Sequence, residues 1–376
     1  MAGIGGPVIS AWSAISPWGL SAADFAAGLR SRRPTAAALD RTEWTVPVER
    51  ACLVPGFDVR VELGRKGTRS MDRLSGLAVA AVGRLLAGGG QERLAGVSRD
   101  AGLALGTSTG SAQSMMDFTR ESLVGKRPYL VDPARFPNTV MNCAAGQAAI
   151  WHRLEGPNAT VAAGRATGLM TLQYALRLHR AGRAQSLLCG AVEEFSTARA
   201  WLAWHSRSAA DPPASDATGP VLGEGAAVWL LEPAEAARAH GRAGLAEPLG
   251  LEFGFARDHA AVRPVLAECL RRLLDRTGLA PADVGLVADS QRAGVDGEAE
   301  RAALSDVLGA AHPRRVGCAD CIGDTFAASA AFQVAAVLSG AAGTEPAAGR
   351  LALVTSVEAG GVVAVAALRL LEERRR

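Results

Sequence analysis

Short apolar runs alternate along the chain with longer segments in which apolar residues recur every three or four positions. The short runs, which have the length of buried strands, are 7–15, 103–106, 159–163, 186–191 and 226–231. The longer segments, which have the period of a helix, are 72–86, 139–154, 168–180 and 327–338. We expect the strands to be buried on both faces. The alternation is typical of an α/β fold in which helices cover central sheets.

Three further stretches bear on the organisation of the chain. Residues 209–220 are rich in Pro, Ser and Asp and are predicted to form a loop, and 232–248 is a candidate boundary between two halves. The long apolar stretch 351–371 contains Glu358, two consecutive glycines and Arg369. It is therefore predicted to form a strand pair with a glycine turn, and no membrane segment is expected.

The amino-acid composition argues against several classes of function. The 376 residues carry 40 Lys+Arg against 37 Asp+Glu, and only 5% are aromatic, so a nucleic-acid surface is not expected. Six scattered cysteines and a first charged residue at Asp24 argue against a disulfide framework and a secretory leader. We expect a cytoplasmic protein. Six cysteines and six histidines leave thiol or imidazole chemistry open.

Four glycine-bearing junctions follow apolar runs, at 106–111, 156–168, 221–228 and 355–361. Each alone is explained by turn glycines or close packing of a helix on a strand. A phosphate-binding loop is excluded because the Lys-Ser/Thr ending is missing.

Taken in order, these motifs resemble the β-ketoacyl synthase family of the thiolase fold over nearly the whole chain. The segments that carry the resemblance are 8–19, 64–73, 136–150, 190–196 and 222–232. The resemblance implies an α/β fold with two similar halves in a five-layer αβαβα body. It divides the chain into an N-terminal half, 1–240, and a C-terminal half, 241–376.

The resemblance also implies where condensation chemistry would lie. The family has a Cys where a strand turns sharply into a helix, and helix N-terminal amides there activate the thiol and form an oxyanion hole. That position is Arg165 in this sequence. The family's two catalytic His correspond to Asp289 and Asp324, its Lys to Ala319, and its gating Phe to Ala359. None of the twelve Cys and His residues falls on these positions.

Losing the Cys, both His and the Lys excludes the family's condensation mechanism. Since decarboxylation would still need the His pair, the sequence fits a chain-length factor, the inactive partner of a type II polyketide ketosynthase. Such factors usually have Gln at the sharp turn from strand to helix, which is called the elbow below. The departure from Gln to Arg165 favours a reducing or polyene system. The expected partners are an active ketosynthase and, mainly through it, an acyl carrier protein. No cofactor and no metal are expected.

The three replacement residues are expected to converge, because the family's elbow and two His share one pocket. We predict that Arg165 forms charge-assisted hydrogen bonds with Asp289 and Asp324 and plugs the site. The alternative is that Arg165 extends to solvent and the aspartates cap helices.

The useful surface of a chain-length factor is its interface with the ketosynthase. By the resemblance, Met116, Thr119 and Leu123 form the gate of the acyl tunnel, at a spacing that puts them on one helix face. The alternative is that they are ordinary core or interface residues. The predicted interface residues are Phe136, Asn138, Met141, Asn142, Cys143 and Gln147.

Two other functions remain open. One is an enzyme with a repurposed acyl pocket, catalysing acyl transfer or hydrolysis with Asp289 or Asp324 as the base. Raised carboxylate pKa values in an open pocket would favour it. The other is a homodimeric acyl-binding scaffold. The Cys318-x-x-Cys321 spacing is more consistent with two small buried residues than with half of a metal site, since no second ligand pair is nearby.

Overall fold

The computed structural model describes residues 6–88, 90, 92–206, 221–341, 351–358 and 360–371. The strands are β1 (Pro7–Ile15), β2 (Ala37–Ala38), β3 (Arg50–Cys52), β4 (Gly102–Gly106), β5 (Asn158–Val161), β6 (Leu187–Glu193), β7 (Leu222–Gly223), β8 (Gly225–Pro233), β9 (Ala246–Ala256), β10 (Val284–Ala288), β11 (Arg314–Arg315), β12 (Leu351–Ser356) and β13 (Gly361–Leu370). The helices are α1 (Ala22–Ser31), α2 (Val59–Leu63), α3 (Arg73–Ala87), α4 (Ala112–Val124), α5 (Cys143–His152), α6 (Thr167–Arg180), α7 (Thr197–His205), α8 (Ala234–Ala239), α9 (His259–Thr277), α10 (Gly294–Leu308), α11 (Ala319–Ile322) and α12 (Ser329–Ala341). Short 3-10 helices cover Pro133–Thr139, Pro281–Asp283 and Phe326–Ala328.

In the described ranges, ten strands form one sheet that consists of two arrays of five. The first array runs β1-β8-β6-β4-β5 and the second β9-β13-β12-β10-β11, and they meet through a single pairing of Ile9 with Ala246. In each array the first two pairings are antiparallel and the last two parallel. The two arrays therefore repeat the same topology.

Helices lie on both sides of each array and between the two. Helices α6 and α12 pack against each other at the centre, with α6 against β4 and β6 and α12 against β8 and β12. Helices α3 and α5 cover the outer face of the first array, and α9 covers the second and packs on α10. The predicted α/β fold with five αβαβα layers is confirmed.

Close contact between the two central helices depends on Gly168. A Cβ at this position would lie 2.4 Å from the backbone nitrogen of Ala331 in α12. The small residues that fill this helix pair thus let the backbones approach and bring the starts of α6 and α12 together. Arg165 lies just before α6, and Asp324 lies in the loop that leads to α12.

The predicted strands and helices are present, with two corrections. Strands β4, β6 and β8 are buried as expected, but β1 and β5 are only partly buried, β5 because it lies at the edge of the sheet. The predicted helix over 139–154 begins only at Cys143, since the segment before it forms a 3-10 helix and a turn. The predicted loop 209–220 lies outside the described residues. No helix in the described ranges is long and apolar enough to cross a bilayer.

Candidate functional site

The elbow between β5 and α6 is a tight turn built around Gly164. Its φ of +55° is in the left-handed region, and a Cβ would lie 1.9 Å from Glu358 Oε2. Thr167 Oγ1 accepts a hydrogen bond from the backbone N–H of Ala163 at 2.8 Å and donates to the carbonyl of Gly164 at 2.6 Å. The turn presents the next residue, Arg165, towards the second half of the chain.

Arg165 is held by two carboxylates. One guanidinium nitrogen donates to Asp324 Oδ2, and the other lies 3.2 Å from Glu358 Oε1. The exposed side-chain fractions are 13% for Arg165, 19% for Asp324 and 23% for Glu358, so this ion-pair group is largely removed from water. The predicted pairing of Arg165 with Asp324 is present, and Arg165 does not extend to solvent.

The ion-pair group of Arg165, Asp324 and Glu358 is called the plug below. Its second carboxylate is not the predicted one. Asp289 is buried and accepts a hydrogen bond from Arg315 on β11, so it does not pair with Arg165. Its place is taken by Glu358, in the turn between β12 and β13. The error has a physical reason: β11 runs parallel to β10 and brings Arg315 to the end of the strand that Asp289 follows.

Glu358 also accepts a hydrogen bond from a backbone N–H group at the elbow. Its Oε2 accepts the N–H of Arg165 at 3.3 Å, besides the contact of Oε1 with the guanidinium. A free N–H at a helix start is the group that would stabilise an oxyanion. Here that donor is already engaged by a carboxylate.

Asp324 is fixed by the loop before α12. Its Oδ1 accepts the N–H of Phe326 at 2.9 Å, and its carbonyl accepts from Arg199 at 2.8 Å. Burial alone would raise the pKa of Asp324, but Arg165 and Arg199 lower it to about 2. The carboxylate is therefore ionised at neutral pH and is a poor base.

An aromatic ring completes the plug. The Phe326 ring centroid lies 4.8 Å from the guanidinium carbon of Arg165, within the range of a cation–π contact. Phe326 has a φ of +40°, which is strained for a residue with a Cβ. The N–H bond to Asp324 holds it in that conformation.

Of the remaining predicted positions, Ala319 starts α11, and its N–H donates to Gln291 Oε1 at 2.9 Å. It carries no functional group. Ala359 lies outside the described residues.

None of the six cysteines is available as a nucleophile here. All are free thiols, none lines the cavity at this site, and burial raises the pKa of each. Cys318 at the N-cap of α11 and Cys321 within it are both buried. Within the described ranges no group of three or more His, Cys, Asp or Glu residues could hold a metal ion.

The plug forms part of the wall of a cavity of about 530 Å³. Five further ionisable residues that sequence reasoning did not single out for this site also line it: Glu193, Arg199, His259, Arg292 and Asp296. Burial raises the pKa of Glu193. His259 and Arg292 lie far apart in sequence. The one feature of the sequence that could have indicated them as site residues is their position shortly after strands β9 and β10.

The predicted gate residues lie together on the exposed face of α4. Met116, Thr119 and Leu123 are all exposed, Leu123 with 79% of its surface. They do not line the 530 Å³ cavity. Tyr129, Leu130 and Val140 continue an exposed apolar surface beyond the helix.

The predicted interface residues divide into exposed and supporting ones. Phe136, Met141 and Asn142 are exposed. Asn138 is buried and donates to the carbonyl of Ser70 at 2.5 Å, so it holds the segment from beneath. Cys143 and Gln147 are half-buried, and the Gln147 amide lies 3.5 Å from the Cys143 sulfur.

Residues 8–237 match the family described as the N-terminal domain of β-ketoacyl synthases. The chain belongs to the β-ketoacyl synthase family. Since this match covers more than half of the chain, the elbow and its surroundings can be compared with other family members.

Among β-ketoacyl synthases, the 3-oxoacyl-[acyl-carrier-protein] synthase 2 of Vibrio cholerae is 30% identical over 219 residues, or 55% of this chain and 52% of that protein. The enzyme of the same name from Rhizobium meliloti is 28% identical over 268 residues, covering 64% of this chain and 63% of that one. The chain thus spans between about half and two thirds of the length of these curated relatives.

The solved structure of the ishigamide ketosynthase/chain length factor contains a chain whose sequence is 41% identical to that of the present chain. The match has a TM-score of 0.91 and covers 98% of this chain and 100% of that one. The thiolase-like fold and the resemblance to polyketide ketosynthases and chain length factors are confirmed.

Proposed function

We propose that this chain is a chain-length factor that does not catalyse condensation itself and pairs with an active ketosynthase of a type II polyketide or polyene synthase. The observation that carries the proposal is the occupied elbow: Arg165, bound by Asp324 and Glu358, stands at the position of the family's nucleophile. The backbone donor of an oxyanion hole is engaged as well. No cysteine thiol and no pair of histidines is available there for condensation.

The exposed apolar side chains on α4, on α5 and on the segment between them support a partner. Large apolar side chains that would normally be buried are exposed there, including Leu123, Met141 and Ile150, the last with 81% of its surface. Permanent interfaces bury about 2,000 Å² or more and are rich in such residues. In the proposed complex the ketosynthase covers this surface, and Met116, Thr119 and Leu123 line the acyl tunnel.

The partner would supply the nucleophile, the histidine pair and most of the contact with the acyl carrier protein. This division follows from the occupied elbow, since a growing chain cannot be attached to Arg165. We place the complex in the cytoplasm, in line with six free cysteines. The repeated strand order supports a division of the chain into halves at 1–240 and 241–376, because the second array begins with β9 at Ala246.

The first alternative, a repurposed pocket with Asp289 or Asp324 as the base, has less support. Both carboxylates are bound by arginines, and the pKa of Asp324 is lowered to about 2 by Arg165 and Arg199 in spite of burial. A general base works best with a pKa near the working pH.

Co-purification tests the pairing and separates it from the homodimeric scaffold. The tagged chain is co-expressed with the cysteine-containing ketosynthase encoded beside it, and the mass of the purified species is measured by light scattering. We expect a 1:1 heterodimer. Recovery of the tagged chain only as a homodimer, with the ketosynthase in a separate fraction, would refute the proposal.

A further inference from the structure

The cavity beside the plug contains a histidine–carboxylate pair that the chain-length role does not use. His259 is the first residue of α9, and its Nδ1 lies 2.6 Å from Asp296 Oδ1 on α10. Asp296 is buried, with 3% of its surface exposed, whereas 38% of the His259 side chain is exposed. The imidazole is therefore fixed on one side and accessible on the other.

The contact with Asp296 orients the imidazole. When Nδ1–H donates to the carboxylate, the neutral ring carries its lone pair on Nε2. In the described part of the chain no residue forms a hydrogen bond with His259 Nε2, so no described group competes for the lone pair of this nitrogen. An imidazole oriented in this way by a buried carboxylate is the usual form of a general base.

A cation lies next to the pair. Arg292 contacts the other oxygen of Asp296 at 3.3 Å, and its guanidinium forms no side-chain hydrogen bond with any residue in the described part of the chain. Burial, followed by the charge of Arg165, lowers the pKa of Arg292. A guanidinium with unused N–H donors at a partly dry site can stabilise negative charge that develops on a ligand.

Part of the cavity wall is apolar. Val48, Ala112, Leu202 and Ala203 line it, and the volume of about 530 Å³ lies within the roughly 300–1,000 Å³ that small-molecule sites occupy. An uncharged aliphatic chain fits this wall, with a polar carbonyl directed at His259 and Arg292. An acyl thioester combines these two parts.

We propose that His259 and Asp296 form a general-base pair that hydrolyses an acyl thioester bound in this cavity. His259 Nε2 takes a proton from a water molecule as the water oxygen attacks the thioester carbonyl carbon, and the resulting oxyanion faces Arg292. When the oxyanion collapses, the C–S bond breaks and the sulfur leaves with its electron pair. The leaving sulfur takes the proton from the imidazolium, giving a carboxylic acid, a thiol and the starting imidazole.

This activity differs from condensation in its requirements. It needs no cysteine and no free amide at the elbow, so the plug at Arg165 does not prevent it. Asp324 and Asp289 take no part in it, because arginines already bind them. In a complex that elongates acyl chains, such a site would release stalled chains as free acids.

The test uses the full-length chain without any ketosynthase, and octanoyl-N-acetylcysteamine as the thioester, in water enriched in ¹⁸O. We expect release of octanoic acid that carries one ¹⁸O atom, faster than in buffer. His259→Ala and Asp296→Asn should each lower the rate at least tenfold, and added imidazole should restore part of the rate to His259→Ala. His312→Ala, which alters an exposed histidine, is the matched control and should keep the full rate.

Octanoic acid release no faster than in buffer would overturn the proposal, and so would full rates in both the His259 and Asp296 variants. Rescue by imidazole shows that His259→Ala has folded, and the unfolding midpoint of each variant checks this independently. Since no ketosynthase is present, failure here is distinct from failure of the chain-length proposal, which co-purification tests.

Discussion

At the scale of single residues, the site depends on one cation between two carboxylates. Arg165 satisfies Asp324 and Glu358 with its guanidinium and Glu358 again with its backbone N–H. Removing one partner from a buried ion pair is costly because the remaining charges stay unpaired away from water.

Replacing Arg165 by Met should therefore lower the free energy of unfolding by about 3 kcal/mol, because Asp324 and Glu358 lose their common partner. Urea unfolding at pH 7 measures this. Arg263→Met is the matched control: it removes an ion pair with Asp306 that lies at the surface, and its midpoint should hardly move. Equal small shifts in both variants would contradict the buried, ion-paired plug.

A second residue-scale prediction concerns pH. Burial, followed by the charge of Asp72, raises the pKa of Glu194 to about 8, while an unfolded Glu has a pKa of about 4.3. Between these values the folded state binds one more proton than the unfolded state. The contribution of Glu194 to stability is thus complete below about pH 4.3 and is lost as the pH rises towards 8, at a rate of at most about 1.4 kcal/mol per pH unit.

Glu194→Gln, which mimics the protonated carboxyl, should flatten this fall in stability between pH 5 and pH 8. Urea unfolding at several pH values measures the slope. Part of the slope should persist, because burial also raises the pKa of Glu300 to about 7. Glu235→Gln, at an exposed position, should leave the slope as it is in the natural chain. An unchanged slope in Glu194→Gln would count against the buried neutral carboxyl.

The sequence was sufficient to predict the pair Arg165 and Asp324, because both lie at motif positions that the fold brings together. It was not sufficient to predict that Glu358 pairs with Arg165 or that Asp289 pairs with Arg315. Glu358 follows a strand, and its reach to the elbow depends on the turn after β12 and on Gly164, which lacks a side chain. Asp289 binds Arg315 because a two-residue edge strand, too short to recognise in the sequence, pairs with β10.

At the scale of elements, α4 is the part of the fold that the proposal uses most. The family resemblance, and not the apolar period of the sequence, placed a helix here, and its exposed face carries the three gate residues. Predicting the exact start of α5 was not possible, because the chain before it turns in a 3-10 helix with Pro137 inside.

Replacing Thr119 by Trp should shorten the products of the reconstituted synthase, since a larger side chain on this face of α4 would narrow the proposed tunnel. Mass spectrometry of the released products measures chain length. Glu268→Trp places the same bulk on the exposed face of α9 and should leave product length unchanged. The gate assignment fails if Thr119→Trp and the control give products of the same length as the natural chain.

At the scale of the whole molecule, the two arrays repeat one strand order, and helices α6 and α12 meet at the centre. This arrangement explains why residues as distant as Arg165 and Asp324 form one group. The alternation of strands and helices predicted the fold class, whereas the repeat itself was not visible, because matching backbones here carry different side chains.

The exposed apolar surface should be covered in the assembled complex. Met141→Arg introduces a charge that would have to be buried, so we expect loss of the heterodimer in light scattering of the co-expressed proteins. Val61→Arg alters an apolar residue on α2 that is 77% exposed and should leave the heterodimer intact. A heterodimer that survives Met141→Arg would remove this residue from the interface.

The central claim is that this chain forms no carbon–carbon bond itself but is needed by a ketosynthase that does. The most direct measurement is chain elongation by the purified ketosynthase with its acyl carrier protein and malonyl donor, in the presence and absence of this chain. We predict extended products only when both subunits are present, and none from this chain alone. Elongation of the same extent by the ketosynthase without this chain would contradict the claim.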